Sequence, residues 1–182
     1  MDEMEFVTPE YISASDIKQL RRRLNLTQKE FAKLINSGKS TIERWERSED
    51  RITGPVVLLV KLLENNPMLI ERVKVPTKDY PLRLWYMHNN MVCTIIDVDE
   101  RAKLIRIKNY VDNVMFRAFG SVDTPDYIMY KEFLESRCFP ANRDKMKLVL
   151  KDLDIPFYDP FMIIEKTEGR MAEDDFWIRI ER

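Results

Sequence analysis

Leu26-Thr27-Gln28-Lys29-Glu30-Phe31-Ala32-Lys33-Leu34-Ile35, then Asn36-Ser37-Gly38, then Lys39-Ser40-Thr41-Ile42-Glu43-Arg44-Trp45-Glu46-Arg47 is the stretch whose reading decides the fold of the first part of this chain. Thr27 with Glu30 three residues later has the form of a capping box, so a helix is predicted to start there. Phe31, Leu34 and Ile35 then supply its buried stripe. Asn36-Ser37-Gly38 breaks that helix with residues suited to a tight turn. Ser40 to Arg47 resumes a helical pattern in which Ile42 and Trp45 face inward. Helix, tight turn and helix is the arrangement in which one helix braces another in the major groove of a duplex.

Upstream, Ser13 and Ser15 are candidate N-caps, Asp16 stands at the capping-box position to Ser13, and Ile17, Leu20 and Leu24 recur at helical spacing. Downstream, Thr53-Gly54-Pro55 predicts a loop and a helix start, with Val56, Leu59, Val60 and Leu63 as the apolar face of a closing helix that ends near Asn65-Asn66-Pro67. A helical domain over residues 13–67 follows, with a proline-punctuated linker at 68–81. From residue 82 the character changes. Leu82 to Met87, Val92 to Val98 and Leu104 to Tyr110 read as an antiparallel β-meander, split by His88-Asn89-Asn90 and Asp99-Glu100-Arg101. Helical period returns at Tyr127 to Ser136, at Asn142 to Leu153 and at Pro160 to Glu165, and Asp175 to Ile180 reads as a last strand. The expected fold class is therefore α+β: an all-helical helix-turn-helix domain, then a domain of a β-meander and three helices over 82–182.

With 182 residues, 45% of them apolar and 34% charged, the chain is long enough for two folded domains and too apolar to be disordered. No apolar run approaches the roughly 20 residues of a membrane span, and Met1-Asp2-Glu3-Met4-Glu5 is the wrong opening for a secretory leader, so a cytoplasmic protein without a membrane partner is expected. Cys93 and Cys138 have no neighbour at ligand spacing, which points to reduced thiols, not zinc or a disulfide. The net charge of −1 hides an asymmetry. Residues 13–66 carry 11 Lys/Arg against 7 Asp/Glu, whereas the 116 residues after them carry 19 against 20. Only the first domain has the charge balance that suits a polyanion.

In a helix-turn-helix, the second helix presents short polar and basic side chains to base edges while flanking residues hold the phosphates. Lys39, Ser40, Thr41 and Arg44 occupy the first two turns of that helix and are the expected base-facing set. Gln28 is placed to reach a phosphate or a base edge, and Arg21, Arg22, Arg23 and Lys29 are candidates for phosphate neutralisation. The bland reading is a helical bundle used only for packing.

Arg22-Arg23-Leu24-Asn25-Leu26-Thr27-Gln28-Lys29-Glu30-Phe31-Ala32 and Ser40-Thr41-Ile42-Glu43-Arg44-Trp45-Glu46 resemble the Cro/repressor (Xre) helix-turn-helix family. With Gly54-Pro55-Val56-Val57-Leu58-Leu59 and Leu62-Leu63-Glu64-Asn65-Asn66-Pro67, the first third of the chain is similar in particular to the DNA-binding domain of MqsA-type antitoxins. That resemblance implies a dimeric repressor of its own operon. The family carries a zinc domain ahead of the helix-turn-helix. Here 12 residues without a cysteine precede it, so zinc is not carried over. The family also has Gly at the position of Asn36, and a slightly altered turn is the expected consequence.

In the second domain, Phe133-Leu134-Glu135-Ser136-Arg137-Cys138-Phe139-Pro140-Ala141-Asn142-Arg143 and Thr167-Glu168-Gly169-Arg170-Met171-Ala172-Glu173-Asp174-Asp175-Phe176-Trp177-Ile178 resemble the N-terminal subdomain of HipA-type toxin kinases. A kinase core would need on the order of a hundred further residues beyond Arg182, so no kinase activity is expected. The run Glu165, Glu168, Glu173, Asp174 and Asp175 reads as a solvated face before it reads as a cation site. His88 falls in a hairpin turn without a catalytic partner. Arg117, Arg137, Arg143 and Arg170 either form ion pairs or gather around an anion. The expectation is a non-enzymatic, autoregulatory antitoxin without cofactor or metal, which binds operator DNA as a homodimer, with residues 82–182 either binding a partner protein such as a cognate toxin or supplying the dimer contact. Its rival is an inhibitor module whose DNA binding serves only its own expression.

Overall fold

Ser13 opens the first helix, α1 (Ala14–Arg23): its Oγ accepts from the amide of Asp16 at 3.4 Å while the Asp16 carboxylate accepts from the amide of Ser13 at 2.7 Å. Thr27 and Glu30 cap α2 (Gln28–Leu34) in the same reciprocal way, at 3.2 and 2.8 Å. Each capping box satisfies two amides that a helix start otherwise leaves without partners. The computed structural model describes residues 5–182, so the acidic opening Met1-Asp2-Glu3-Met4 lies outside the described residues. The chain divides into two units, the first ending at Lys74 and the second spanning Val75–Arg182.

Both helices close on an asparagine. Asn25 and Asn36 adopt φ of 54° and 52°, and each directs its own amide and the next one back to carbonyls of the last turn. This is a Schellman motif. At the second site the bonds run from Asn36 to Lys33 (3.2 Å) and from Ser37 to Ala32 (2.8 Å). Asparagine tolerates the left-handed region well enough to do what glycine does there, so replacing the family's glycine leaves the turn closed. Helix α3 (Lys39–Arg47) starts immediately after Gly38, and α4 (Pro55–Asn65) carries its proline in the first turn, where a missing N–H costs nothing. A short helix, α5 (Leu69–Val73), lies within the stretch read from sequence as a linker. Ile12 and Ile52 pair as an isolated antiparallel bridge, 2.9 Å in both directions. Ile12, Ile17, Leu20, Phe31, Ile42 and Val60 fill the core, with Leu34, Ile35 and Trp45 partly buried against it. Each fully buried large apolar side chain contributes about 1.5–3 kcal/mol.

The second unit is built on a four-stranded antiparallel sheet in the order β3-β2-β1-β4. Its strands are β1 (Leu82–His88), β2 (Met91–Asp99), β3 (Leu104–Asn109) and β4 (Phe176–Glu181). The meander is formed as expected, and the chain's last strand returns beside β1. Helices α6 (Tyr127–Ser136), α7 (Met146–Asp152) and α8 (Pro160–Thr167) contribute Tyr130, Phe133, Leu134, Leu150, Ile163 and Ile164 to one core with Leu84, Tyr86, Ile96 and Val98 of the sheet. Helix α7 starts four residues later than its pattern suggested, after Lys145 at φ 59°, and α8 continues two residues further.

Alternation along β1 and β2 places Arg83 and Asp97 on the opposite face from that core, directly across from each other in the register. Their guanidinium and carboxylate meet at 2.6 and 2.7 Å, and both side chains are buried. His88 ends β1 with its ring 4.8 Å from both Phe116 and Phe176, a packing role. The acidic run is dispersed among arginines: Glu165 pairs with Arg182, Glu168 with Arg170 and Asp174 with Arg137. Among the described residues no helix is long and apolar enough to cross a membrane.

Candidate nucleic-acid interface

Two faces of α3 have opposite fates. Ile42 has no exposed surface and Glu46 keeps only 4%, whereas Lys39, Ser40 and Arg44 are exposed and Thr41 is half-buried. A buried carboxylate needs a cation and hydrogen-bond donors, and Glu46 has both. Arg21 from α1 donates to it through Nε and Nη2 at 2.6 and 3.1 Å, and Gln28 from α2 donates through Nε2 at 2.8 Å. Arg21 also ties down the turn that follows its own helix by donating from Nη1 to the carbonyl of Leu26 at 3.0 Å. One carboxylate therefore joins the three helices.

Burial pushes the Glu46 carboxyl up, but the hydrogen bonds from Arg21 and Gln28 and the charge of Arg21 outweigh it and hold the group below the ordinary carboxylate value. The same hydrogen bond raises Arg21. This network corrects the reading of Arg21 as a phosphate neutraliser: its guanidinium is turned inward. The sequence did carry a signal for it. Glu46 follows the buried Ile42 by one helical turn, and an acid on an inward face requires a cation from another element.

The remaining sequence candidates fall into two groups. Lys39, Ser40, Thr41 and Arg44 share one side of α3, and Lys39 shares its charge with Glu43 at 2.8 Å. Gln28 sits at the start of α2 with one amide hydrogen committed to Glu46, which leaves the second for an outside acceptor. Lys29 is exposed beside it. Arg23 is not drawn into this group, because its Nη1 donates to the carbonyl of Glu64 at 3.1 Å, at the end of α4. Arg22 is exposed.

A braced helix with a polar outer face, set against a capped supporting helix, defines a helix-turn-helix domain. Residues 3–74 match the family described as the antitoxin component of bacterial toxin-antitoxin system, MqsA, so the first unit is similar to the antitoxins of that family. Over 62 residues the chain is 29% identical to Antitoxin HigA-2 of Vibrio cholerae serotype O1, a stretch covering 34% of this chain and 60% of that protein. Over 44 residues it is 52% identical to the Type II methyltransferase M.SsoII of Shigella sonnei, covering 22% of this chain and 12% of that enzyme. The chain thus spans less than two thirds of the first relative and about an eighth of the second, and a stretch so short does not bring the methyltransferase's chemistry with it. The family match ends at residue 74 and does not extend into the second unit.

Proposed function

We propose that this chain is a transcriptional regulator of the antitoxin kind, working in the cytoplasm, which binds operator DNA near its own gene as a homodimer and neutralises a toxin through its second unit. The observation that carries the reading is the division of α3. Ile42 and Glu46 are locked to α1 and α2, while Ser40 and Arg44 are exposed and Thr41 half-buried on the outer side, at the spacing from which a helix reads base edges. Arg44 reads a guanine, Ser40 and Thr41 contact neighbouring bases or phosphates, and Lys39, Gln28 and Lys29 set the register on the backbone. A dimer presents two such helices about one DNA turn apart.

Binding of the full chain to DNA from upstream of its own reading frame tests this. Arg44→Ala and Thr41→Ala are each expected to cost roughly 1–3 kcal/mol at the cognate site, and unchanged affinity in both undoes the contact assignment. The even charge of the second unit, with the antitoxin match of the first, supports a protein partner for residues 82–182. Deleting residues 78–182 is expected to leave operator binding in place while unmasking the toxicity of a neighbouring gene product. If toxicity stays suppressed, neutralisation does not reside there.

A further inference from the structure

The two stretches of the second unit singled out in the sequence, one following α6 and one following α8, meet around a cavity of about 530 Å³. Of the four arginines considered as anion ligands, Arg137, Arg143 and Arg170 line it. Arg117 does not: its Nε donates to the carbonyl of Val111 at 2.9 Å and its guanidinium pairs with Asp123 at 3.6 Å.

Arg137 builds the wall and has little left to offer a ligand. Its buried guanidinium donates to the carbonyl of Gly169 at 2.8 and 3.1 Å, to the Asp174 carboxylate at 2.6 and 3.0 Å and to the carbonyl of Phe176 at 3.0 Å. Tyr158 donates to the carbonyl of Phe139 at 3.0 Å, and Thr167 to that of Ile163 at 2.9 Å. Gly169, at φ 61°, lets the second wall turn tightly, since a Cβ there would come within 3.3 Å of Ile178. Burial pushes the Cys138 thiol up to about 12, and its Sγ lies 3.3 Å from the carbonyl of Pro160, so it lines the cavity as a neutral group.

Arg143 is different in kind. It is exposed, has no ion-pair partner among the described residues, and sits 5.7 Å over the ring of Phe139. Arg170 sits 4.9 Å over Trp177 and is half-satisfied by Glu168 at 2.8 Å. A guanidinium resting on an aromatic face keeps its edge donors free for a planar acid. Ile163, Phe139 and Met171 give the cavity an apolar lining. Glu173 in the same lining and Glu168 on Arg170 oppose a highly charged anion such as a polyphosphate.

We propose that this cavity is a receptor for a carboxylate carried on an apolar stem, gripped by Arg143 and secondarily by Arg170. Its volume suits a small organic acid or one acidic residue with an apolar neighbour in a protein segment.

The test titrates the full chain, followed by amide chemical shifts, with 3-phenylpropionate and with the blocked peptide acetyl-Leu-Glu-Phe-amide. Phenylpropionamide, acetyl-Leu-Gln-Phe-amide and inorganic phosphate serve as controls, and operator affinity is measured on the same samples. Saturable binding of a carboxylate probe is expected, with shifts at Phe139, Arg143, Thr167 and Arg170 and with the uncharged controls about tenfold weaker or worse. Arg143→Gln is expected to weaken it by about tenfold, and Arg170→Gln by less, both without change in operator affinity. Equal affinity for the free acid and the peptide identifies a small-molecule ligand, and markedly tighter peptide binding identifies a protein segment. The proposal is overturned if neither carboxylate saturates, if phosphate binds as well as they do, or if Arg143→Gln changes nothing.

Discussion

Asp97→Ala is expected to destabilise the second unit by about 3–5 kcal/mol, a large share of the 5–15 kcal/mol that holds a typical domain together. The reason lies in what remains. Arg83 keeps only 4% of its side chain exposed and Asp97 only 3%, and the two face each other across β1 and β2 at 2.6 Å. Arginine does not escape burial by losing its proton, so removing the carboxylate leaves a desolvated cation in the middle of the sheet. The hydrogen bond and charge of Asp97 raise Arg83 further above its ordinary value, which measures how tightly the proton is held. Native-state hydrogen exchange of the β1 and β2 amides reads the effect directly. The double variant Arg83→Leu with Asp97→Leu is expected to recover most of the loss, because a buried ion pair replaced by apolar groups of similar size is often neutral. A loss below about 1 kcal/mol in Asp97→Ala would mean that water reaches the pair.

That pair also shows where sequence reading reaches its limit. β-Branched and aromatic content with the turn residues between the runs located β1 and β2, without assigning either face of them to a core. It gave no account of Arg83 and Asp97 as buried, because period decides the side of a sheet and says nothing of what covers that side. The helices were legible for the complementary reason. Ser13 with Asp16, Thr27 with Glu30, and Pro55 are local signals, complete within one turn, and the elements they start are α1, α2 and α4. Contacts between distant residues leave weaker traces. Arg21 and Glu46 are 25 positions apart, and Arg21 read as one more surface cation in a basic run. Four arginines of the second unit, Arg117, Arg137, Arg143 and Arg170, could be grouped by type, but only the meeting of the turns after α6 and α8 separates Arg117 from the other three. On α3 the outcome was mixed. Its polar face stands where the pattern placed it, while the carboxylate that orients that face was not singled out at all.

Glu46→Ala is expected to cost the first unit roughly 3–5 kcal/mol, toward the lower end because Arg21 keeps 16% of its side chain exposed and can recruit water. Operator affinity is expected to fall even though Lys39, Ser40, Thr41 and Arg44 are untouched, since α3 loses its ties to α1 and α2 together. Glu46→Gln separates charge from shape. It keeps an acceptor for Arg21 and Gln28 but has no proton to bind, so its stability loses one source of dependence on pH. The direction follows from the folded value of Glu46, which in spite of burial is held below the ordinary value of an unfolded glutamate by the hydrogen bonds from Arg21 and Gln28. The stabilisation is fully present above that unfolded value and disappears as the pH falls through the folded one. Asp16 and Glu30, lowered by their capping hydrogen bonds with Ser13 and Thr27, act in the same window in both proteins, so the difference between wild type and variant isolates Glu46. Acid unfolding followed by the fluorescence of Trp45, in a background with Trp85 and Trp177 replaced by phenylalanine, should therefore be steeper in wild type than in Glu46→Gln. Identical slopes would show that the carboxylate joining the helices is not the group whose protonation releases α3.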